Sequence, residues 1–199
     1  MAKRKTMRLL RSLAVNKCRP SIPFLRILPT DFCNLACSYC WQHNADRHFM
    51  DEQLFDSCLA KGLEFHVGLI SFLGGEPTIW PHLLEAIRKC SAKHICTDVT
   101  TNGSRLTPDY LRELARAGLN LLNISVDGLV DSEVSKKVCL SDPKLLEAIV
   151  SSLRSKQLRV RLNSVIFKGN WPFIRRLFAI AEETGIPISL GYAMYRTRA

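Results

Sequence analysis

The feature that most limits what this chain can fold into is a sixfold alternation of short apolar runs with amphipathic stretches of helical period. Strand-like runs rich in apolar and β-branched residues fall near 24–30, 67–73, 95–101, 119–126, 158–166 and 186–194. Between them the spacing predicts helices over 51–64, 79–92, 107–117, 142–155 and 171–184. Asp51, Thr107-Pro108 and Ser141-Asp142-Pro143 are start signals, and Gly118 and Gly185 are stop signals where glycine relieves a left-handed turn. Strands separated by helices in this way predict an α/β fold with a parallel sheet and right-handed crossovers.

Polarity along two strands refines that expectation. Asn123, Ser125 and Asp127 share one face of the fourth run while Leu122, Ile124 and Val126 share the other, and Arg159, Arg161 and Asn163 repeat the pattern in the fifth. A strand covered on both faces is almost wholly apolar, so a polar face needs a reason. A polar cavity enclosed by the sheet supplies one, which gives a partial (β/α)6 TIM-like barrel with parallel strands. An exposed edge strand accounts for the fifth run equally well. No low-complexity linker interrupts the pattern, so a single core is expected over 23–199, with a separate extension over 1–22.

That extension carries Lys3, Arg4, Lys5, Arg8, Arg11, Lys17 and Arg19 before the first acid, Asp31. These seven bases supply most of the net charge of +10 and leave +3 for the rest. Interleaved Met7, Leu9, Leu10, Leu13 and Val15 make it a candidate amphipathic basic segment for RNA, an anionic surface or a partner; the plainer reading is a solvated or docked extension. No apolar run reaches 18 residues and no signal-peptide pattern is present, so a cytoplasmic protein is expected. Of eight cysteines, three lie within residues 33–40 and the others are scattered, a distribution that favours metal binding over a disulfide framework.

The string Cys33-Asn-Leu-Ala-Cys37-Ser-Tyr-Cys40 follows directly on the first strand, at the end that carries chemistry in α/β barrels. Thiolates are the soft ligands that iron–sulfur clusters take, and three of them leave one iron of a cubane open. A structural zinc site completed by His43 or His48 is the alternative on the motif alone. Gly74-Gly75-Glu76-Pro77 ends the second run, Thr100-Thr101-Asn102-Gly103 the third and Ser125-Val126-Asp127-Gly128 the fourth. Each of these, taken singly, is an ordinary polar turn. The remaining cysteines at 58, 90 and 96 read as small buried hydrophobes, Trp41 as a shield or anchor beside the loop, and His66, His82 and His94 as element edges without chemistry.

Taken together, the Cys-x3-Cys-x-aromatic-Cys string, with Tyr39 at the aromatic position, and the Gly-Gly-Glu-Pro turn resemble the radical S-adenosylmethionine superfamily over about residues 24–194. The resemblance implies a 4Fe-4S cluster on Cys33, Cys37 and Cys40 whose open iron takes the methionine end of S-adenosyl-L-methionine. It implies an oxidoreductase-like reaction in which that cofactor is reductively cleaved to a 5′-deoxyadenosyl radical, which abstracts hydrogen from a substrate. Cofactor contacts are implied for Tyr39, Gly74, Gly75, Glu76, Ser125, Asn163 and Met194, with Thr100, Asn102 and Asp127 facing cofactor or substrate. Where relatives place an arginine for the methionine carboxylate this chain has Lys136 and Lys137, with Arg161 a competitor. Expected partners are a one-electron donor such as flavodoxin or ferredoxin, a small-molecule, lipid, nucleoside or peptide substrate, an anionic partner at the N-terminus and a protein completing the open barrel. The competing function is a non-catalytic cluster- or metal-binding protein acting through its basic N-terminus.

Overall fold

A computed structural model describes residues 22–40, 47–155 and 158–193; the basic segment over 1–21, Trp41, His43 and Met194 lie outside the described residues. Six strands form one parallel sheet in the order β1 (Phe24–Ile27), β2 (Leu69–Phe72), β3 (Cys96–Thr101), β4 (Leu121–Ser125), β5 (Arg159–Ile166) and β6 (Ile188–Tyr192). Between them run α1 (Glu52–Glu64), α2 (Leu83–Ala92), α3 (Pro108–Ala117), α4 (Pro143–Arg154) and α5 (Trp171–Thr184). The expected start signals act as caps: the side chains of Asp51, Thr107 and Asp142 accept from backbone N–H groups in the first turns of α1, α3 and α4. Gly118 and Gly185 close α3 and α5 in the left-handed conformation. The result is the partial TIM-like barrel that the alternation predicts.

Most boundaries fall within two residues of the periodicity, and the two that differ by more each fall at a proline. β1 ends at Ile27 rather than continuing to Thr30, because Pro29 has no N–H to give a ladder; its carbonyl accepts from Met50 N at 2.7 Å instead. The second helix begins at Leu83, after a short 3₁₀ turn over Pro77–Ile79. Pro81 forces the preceding Trp80 into extended backbone, at φ −71° and ψ 120°, and so separates the turn from the helix.

Strand alternation sorts the side chains into two layers. Ile70, Phe72, Val99, Leu122, Ile124, Val160 and Leu162 are buried against the helices, and Phe55, Phe72 and Trp80 form an aromatic cluster with centroids 5.8–6.3 Å apart. The opposite face is polar: Ser71 donates to Asp98 at 2.6 Å, and Thr100, Asn123 and Arg161 lie in register, with Arg161 Nε donating to Asn123 Oδ1 at 2.9 Å. Alternation also corrects one expectation. Cys90 is fully buried and Cys58 half-buried, but Cys96 is exposed, because Thr97, Val99 and Thr101 take the helix side of β3 and turn Cys96 to the other. Among the described residues no helix is long and apolar enough to cross a membrane.

Candidate functional site

Where β1 gives way to loop, residues 28–40 fold across the C-terminal ends of β2, β3 and β4. The loop is seated on the two glycines of the second turn. Gly75 N donates to Thr30 O and Glu76 N to Phe32 O, both at 2.9 Å. A Cβ on Gly75 would lie 2.0 Å from Phe32 O, and one on Gly74, whose φ is +123°, would lie 2.6 Å from Thr30 O. These glycines thus admit the loop's own backbone.

The seated loop brings Cys33, Cys37 and Cys40 to one cavity of about 210 Å³. Gly74, Gly75, Glu76, Thr100, Asn102, Ser125 and Lys137 line it with them. Two sulfurs already receive hydrogen bonds of the kind a thiolate attracts: Leu35 N and Asn102 Nδ2 reach Cys33 Sγ, both at 3.5 Å, and Lys136 N reaches Cys37 Sγ at 3.3 Å. Burial pushes the Cys33 thiol above its ordinary pKa, against the lowering effect of those two donors. A ligand that takes thiolates therefore displaces a proton there. Among the described residues no three of His, Cys, Asp and Glu are grouped to hold a single metal ion.

Two buried carboxylates flank the loop. Glu76 caps the 3₁₀ turn: its Oε1 accepts from Thr78 N, Thr78 Oγ1 and Thr101 Oγ1 at 2.6–3.0 Å, and Oε2 accepts from Asn102 N at 2.7 Å. Asn102 goes on to donate to Asn34 Oδ1 at 3.0 Å, tying the β3 turn to the cysteine loop. Asp127, on the other side, accepts at Oδ2 from Tyr39 OH at 2.5 Å and Ser135 Oγ at 2.7 Å, and at Oδ1 from Val165 N at 2.7 Å. Lys137 Nζ sits 3.9 Å from the same carboxylate and 5.1 Å from the Tyr39 ring centroid. Burial first, and then the Asp127 charge, raise the Tyr39 hydroxyl far above its ordinary pKa, so it stays a donor.

The structure groups most of the expected residues and separates a few. Asp127 lies in the wall behind the cavity and lines a second, 480 Å³ groove beside the start of α5. Of the two lysines, Lys137 lines the cavity, while Lys136 approaches Asp131 at 3.9 Å; Arg161 is engaged lower on the sheet with Asn123. Asn163 Oδ1 is buried without a hydrogen-bond partner, beside Ser125 in the β4–β5 register. Thr78, Thr101, Ser135 and the Lys136 backbone are contacts the motifs do not single out. A Thr two residues after a capping Glu was a readable signal for Thr78; nothing in the irregular stretch around Ser135 marks it.

The donor set fits a thiolate-held cluster with a polar ligand above it: three sulfurs on one cavity, N–H groups aimed at two of them, and an amide oxygen left unpaired nearby. A family model described as the Radical SAM superfamily matches residues 27–194. The chain is 30% identical over 185 residues to GTP 3',8-cyclase of Rhodopseudomonas palustris, covering 85% of this chain and 52% of that protein. It is 33% identical over 156 residues to the probable GTP 3',8-cyclase of Methanosarcina mazei, covering 73% and 46%. The chain thus spans about half the length of the curated relatives it matches. In fold it resembles Streptococcus suis SuiB bound to S-adenosylmethionine, with a TM-score of 0.73 at 21% identity over 100% of this chain and 48% of that one. TYW1 with a lysine-pyruvate adduct bound has a TM-score of 0.58 at 20% identity, over 89% and 66%.

Proposed function

The chain belongs to the radical SAM superfamily, whose members use a 4Fe-4S cluster and S-adenosylmethionine, and from that premise we propose that it is the catalytic core of an enzyme acting on a purine nucleoside triphosphate. The observation that carries the core chemistry is the convergence of Cys33, Cys37 and Cys40 on one cavity with Glu76, Asn102 and Lys137. The substrate class rests on the identity of 30–33% to GTP 3',8-cyclases and on Arg26, Arg159 and Arg161, which stand on the helix-free face of the sheet. Phosphate oxygens suit such guanidinium groups.

In this reading Cys33, Cys37 and Cys40 would hold the cluster and leave one iron open to the amino and carboxylate groups of S-adenosylmethionine. Lys137 would supply a cation for the carboxylate, and backbone oxygens of the turn at Gly74–Glu76, together with Glu76 Oε2 beside Asn102 N, would accept from the N–H groups of the iron-bound amino group. Ser125 and the unpaired Asn163 Oδ1 face the ribose, with Thr100 and Asn102 bordering the same space. A reduced cluster held there would supply the electron for reductive cleavage of S-adenosylmethionine to methionine and a 5′-deoxyadenosyl radical. The chain's own residues orient the two groups and limit water around them. The electron comes from a protein donor such as flavodoxin or ferredoxin.

Anaerobic reconstitution, reduction with dithionite and assay of 5′-deoxyadenosine test the core. About four irons per chain and measurable 5′-deoxyadenosine are expected, with both lost in Cys37→Ala and retained in Cys90→Ala. A stable zinc content without iron–sulfur absorbance overturns the core reading. GTP is expected to stimulate turnover above the uncoupled rate. Cleavage that proceeds normally but ignores GTP removes the substrate assignment and leaves the core standing.

A further inference from the structure

Between β4 and α4 the chain makes an excursion that belongs to neither a strand nor a long helix, yet parts of it are among the most buried polar residues of the molecule. Asp127 is 2% exposed and Ser135 3%. Its contacts are directed at the cysteine loop: Ser38 N donates to Val134 O at 3.0 Å, Lys136 N donates to Cys37 Sγ at 3.3 Å, and Ser135 Oγ lies 3.6 Å from the same sulfur. Cys37 is itself only 3% exposed, so these are that sulfur's main polar surroundings.

We propose that Asp127 and Ser135 form a device that sets how readily the cluster on Cys37 accepts an electron, with Asp127 the positioning residue and Ser135 its contact to the sulfur. This rests on the reading of Cys37 as a cluster ligand. The argument turns on one hydrogen. Ser135 has a single hydroxyl proton, and the Asp127 carboxylate at 2.7 Å is a charge-assisted acceptor, far better placed than a sulfur at 3.6 Å. Lys137 N donates into the same hydroxyl oxygen at 3.3 Å. With its proton committed to Asp127, Ser135 presents a lone pair to Cys37. That opposes added negative charge on the cluster, while the Lys136 N–H favours it. Hydrogen bonding at the sulfurs and nearby charge are the levers by which a protein moves a cluster's potential.

Tyr39 works on the same carboxylate from inside the cysteine loop. Its hydroxyl donates to Asp127 Oδ2, the oxygen that also holds Ser135. It draws charge off Asp127 and offsets the effect on Cys37. The two neighbours of Asp127 therefore pull in opposite directions, and variants at the three positions differ in sign.

The test is a potentiometric titration of the anaerobically reconstituted chain without S-adenosylmethionine, read by electron paramagnetic resonance, for wild type, Asp127→Asn, Ser135→Ala and Tyr39→Phe. Asn at 127 removes the charge and releases the Ser135 proton toward sulfur. The reduced-to-oxidised ratio at a fixed poise is expected to rise about tenfold, a shift of about 59 mV to less negative potential for a one-electron couple. Ser135→Ala is expected to shift the same way by less, and Tyr39→Phe the opposite way. Ser135→Ala leaves the Tyr39 and β5 bonds to Asp127 intact, so it carries the sign if Asp127→Asn does not take up iron. Normal cluster content with unshifted potentials, or a Ser135→Ala shift toward more negative potential, overturns the inference while leaving the cluster assignment in place. A wild-type chain that takes up no iron–sulfur cluster overturns both.

Discussion

The cysteine loop is held between two buried carboxylates that do similar work by different routes. Glu76 is fixed by a local network: Thr78 is two residues away, and Thr101 and Asn102 end the neighbouring strand. Asp127 gathers partners from across the chain, with Tyr39 88 residues before it and Val165 38 after it. The first network forms as soon as β2 and β3 pair, because its donors sit in the 3₁₀ turn that follows β2 and at the end of β3. The second exists only once the loop, the β4–α4 excursion and β5 have all arrived. The Glu76 side is thus the seat of the loop, and the Asp127 side is its latch.

Breaking the seat has the largest expected effect. Gly75→Ala places a Cβ 2.0 Å from Phe32 O, and backbone cannot rotate away as a side chain can. A loss of about 3 kcal/mol or more in apo stability is expected, together with failure to incorporate iron. Chemical denaturation and iron analysis check it. Next comes Glu76→Gln, which sets an amide NH2 among donors that all point inward. It is expected to cost about 2–3 kcal/mol, measured the same way. A smaller loss than that from opening the latch would reverse the assignment of seat and latch.

On the latch side, Tyr39→Phe removes one hydrogen bond to a buried carboxylate that keeps its Ser135 and Val165 donors. The apo protein is expected to lose about 1–2 kcal/mol and still fold and take up iron. Amide hydrogen exchange sharpens the contrast: protection at Ser38 and Lys136 is expected to fall while that at Gly75 and Glu76 is unchanged.

The same division explains what could be read before the fold was known. The strands and helices were legible because their periods and caps are local; the shifts of more than two residues came at Pro29 and Pro81, through chain geometry that hydropathy does not register. Cys33, Cys37, Cys40 and the Gly-Gly-Glu-Pro turn were legible as strings. Asp127 could be marked but not placed, since which side of the loop it lies on depends on how the β4–α4 excursion folds. Ser135 carried no signal. Cys96 misled because a thiol in a strand usually packs inward, and only the register of β3 shows it on the helix-free face.

The smallest effect falls on Cys139, which lies between the two carboxylates. A Cβ on Gly103 would come within 2.5 Å of its sulfur, so the thiol fills the space that this glycine leaves. Burial above all, with Glu76 and then Asp127 adding to it, pushes the Cys139 thiol up to about 12. The unfolded chain loses this proton near the ordinary value of 9.0 while the folded chain keeps it. Between these two values the native state binds more protons, so stability is fully present below about 9 and is lost as pH rises. By pH 10 this one group is expected to remove about 1 kcal/mol. Cys139→Ala should therefore flatten the fall in Tm between pH 8 and 10 relative to wild type. Because Glu76 contributes more than Asp127, Glu76→Gln should raise the rate of Cys139 alkylation at pH 9 more than Asp127→Asn does. Equal rates would mean that burial alone governs the thiol and that neither carboxylate reaches it.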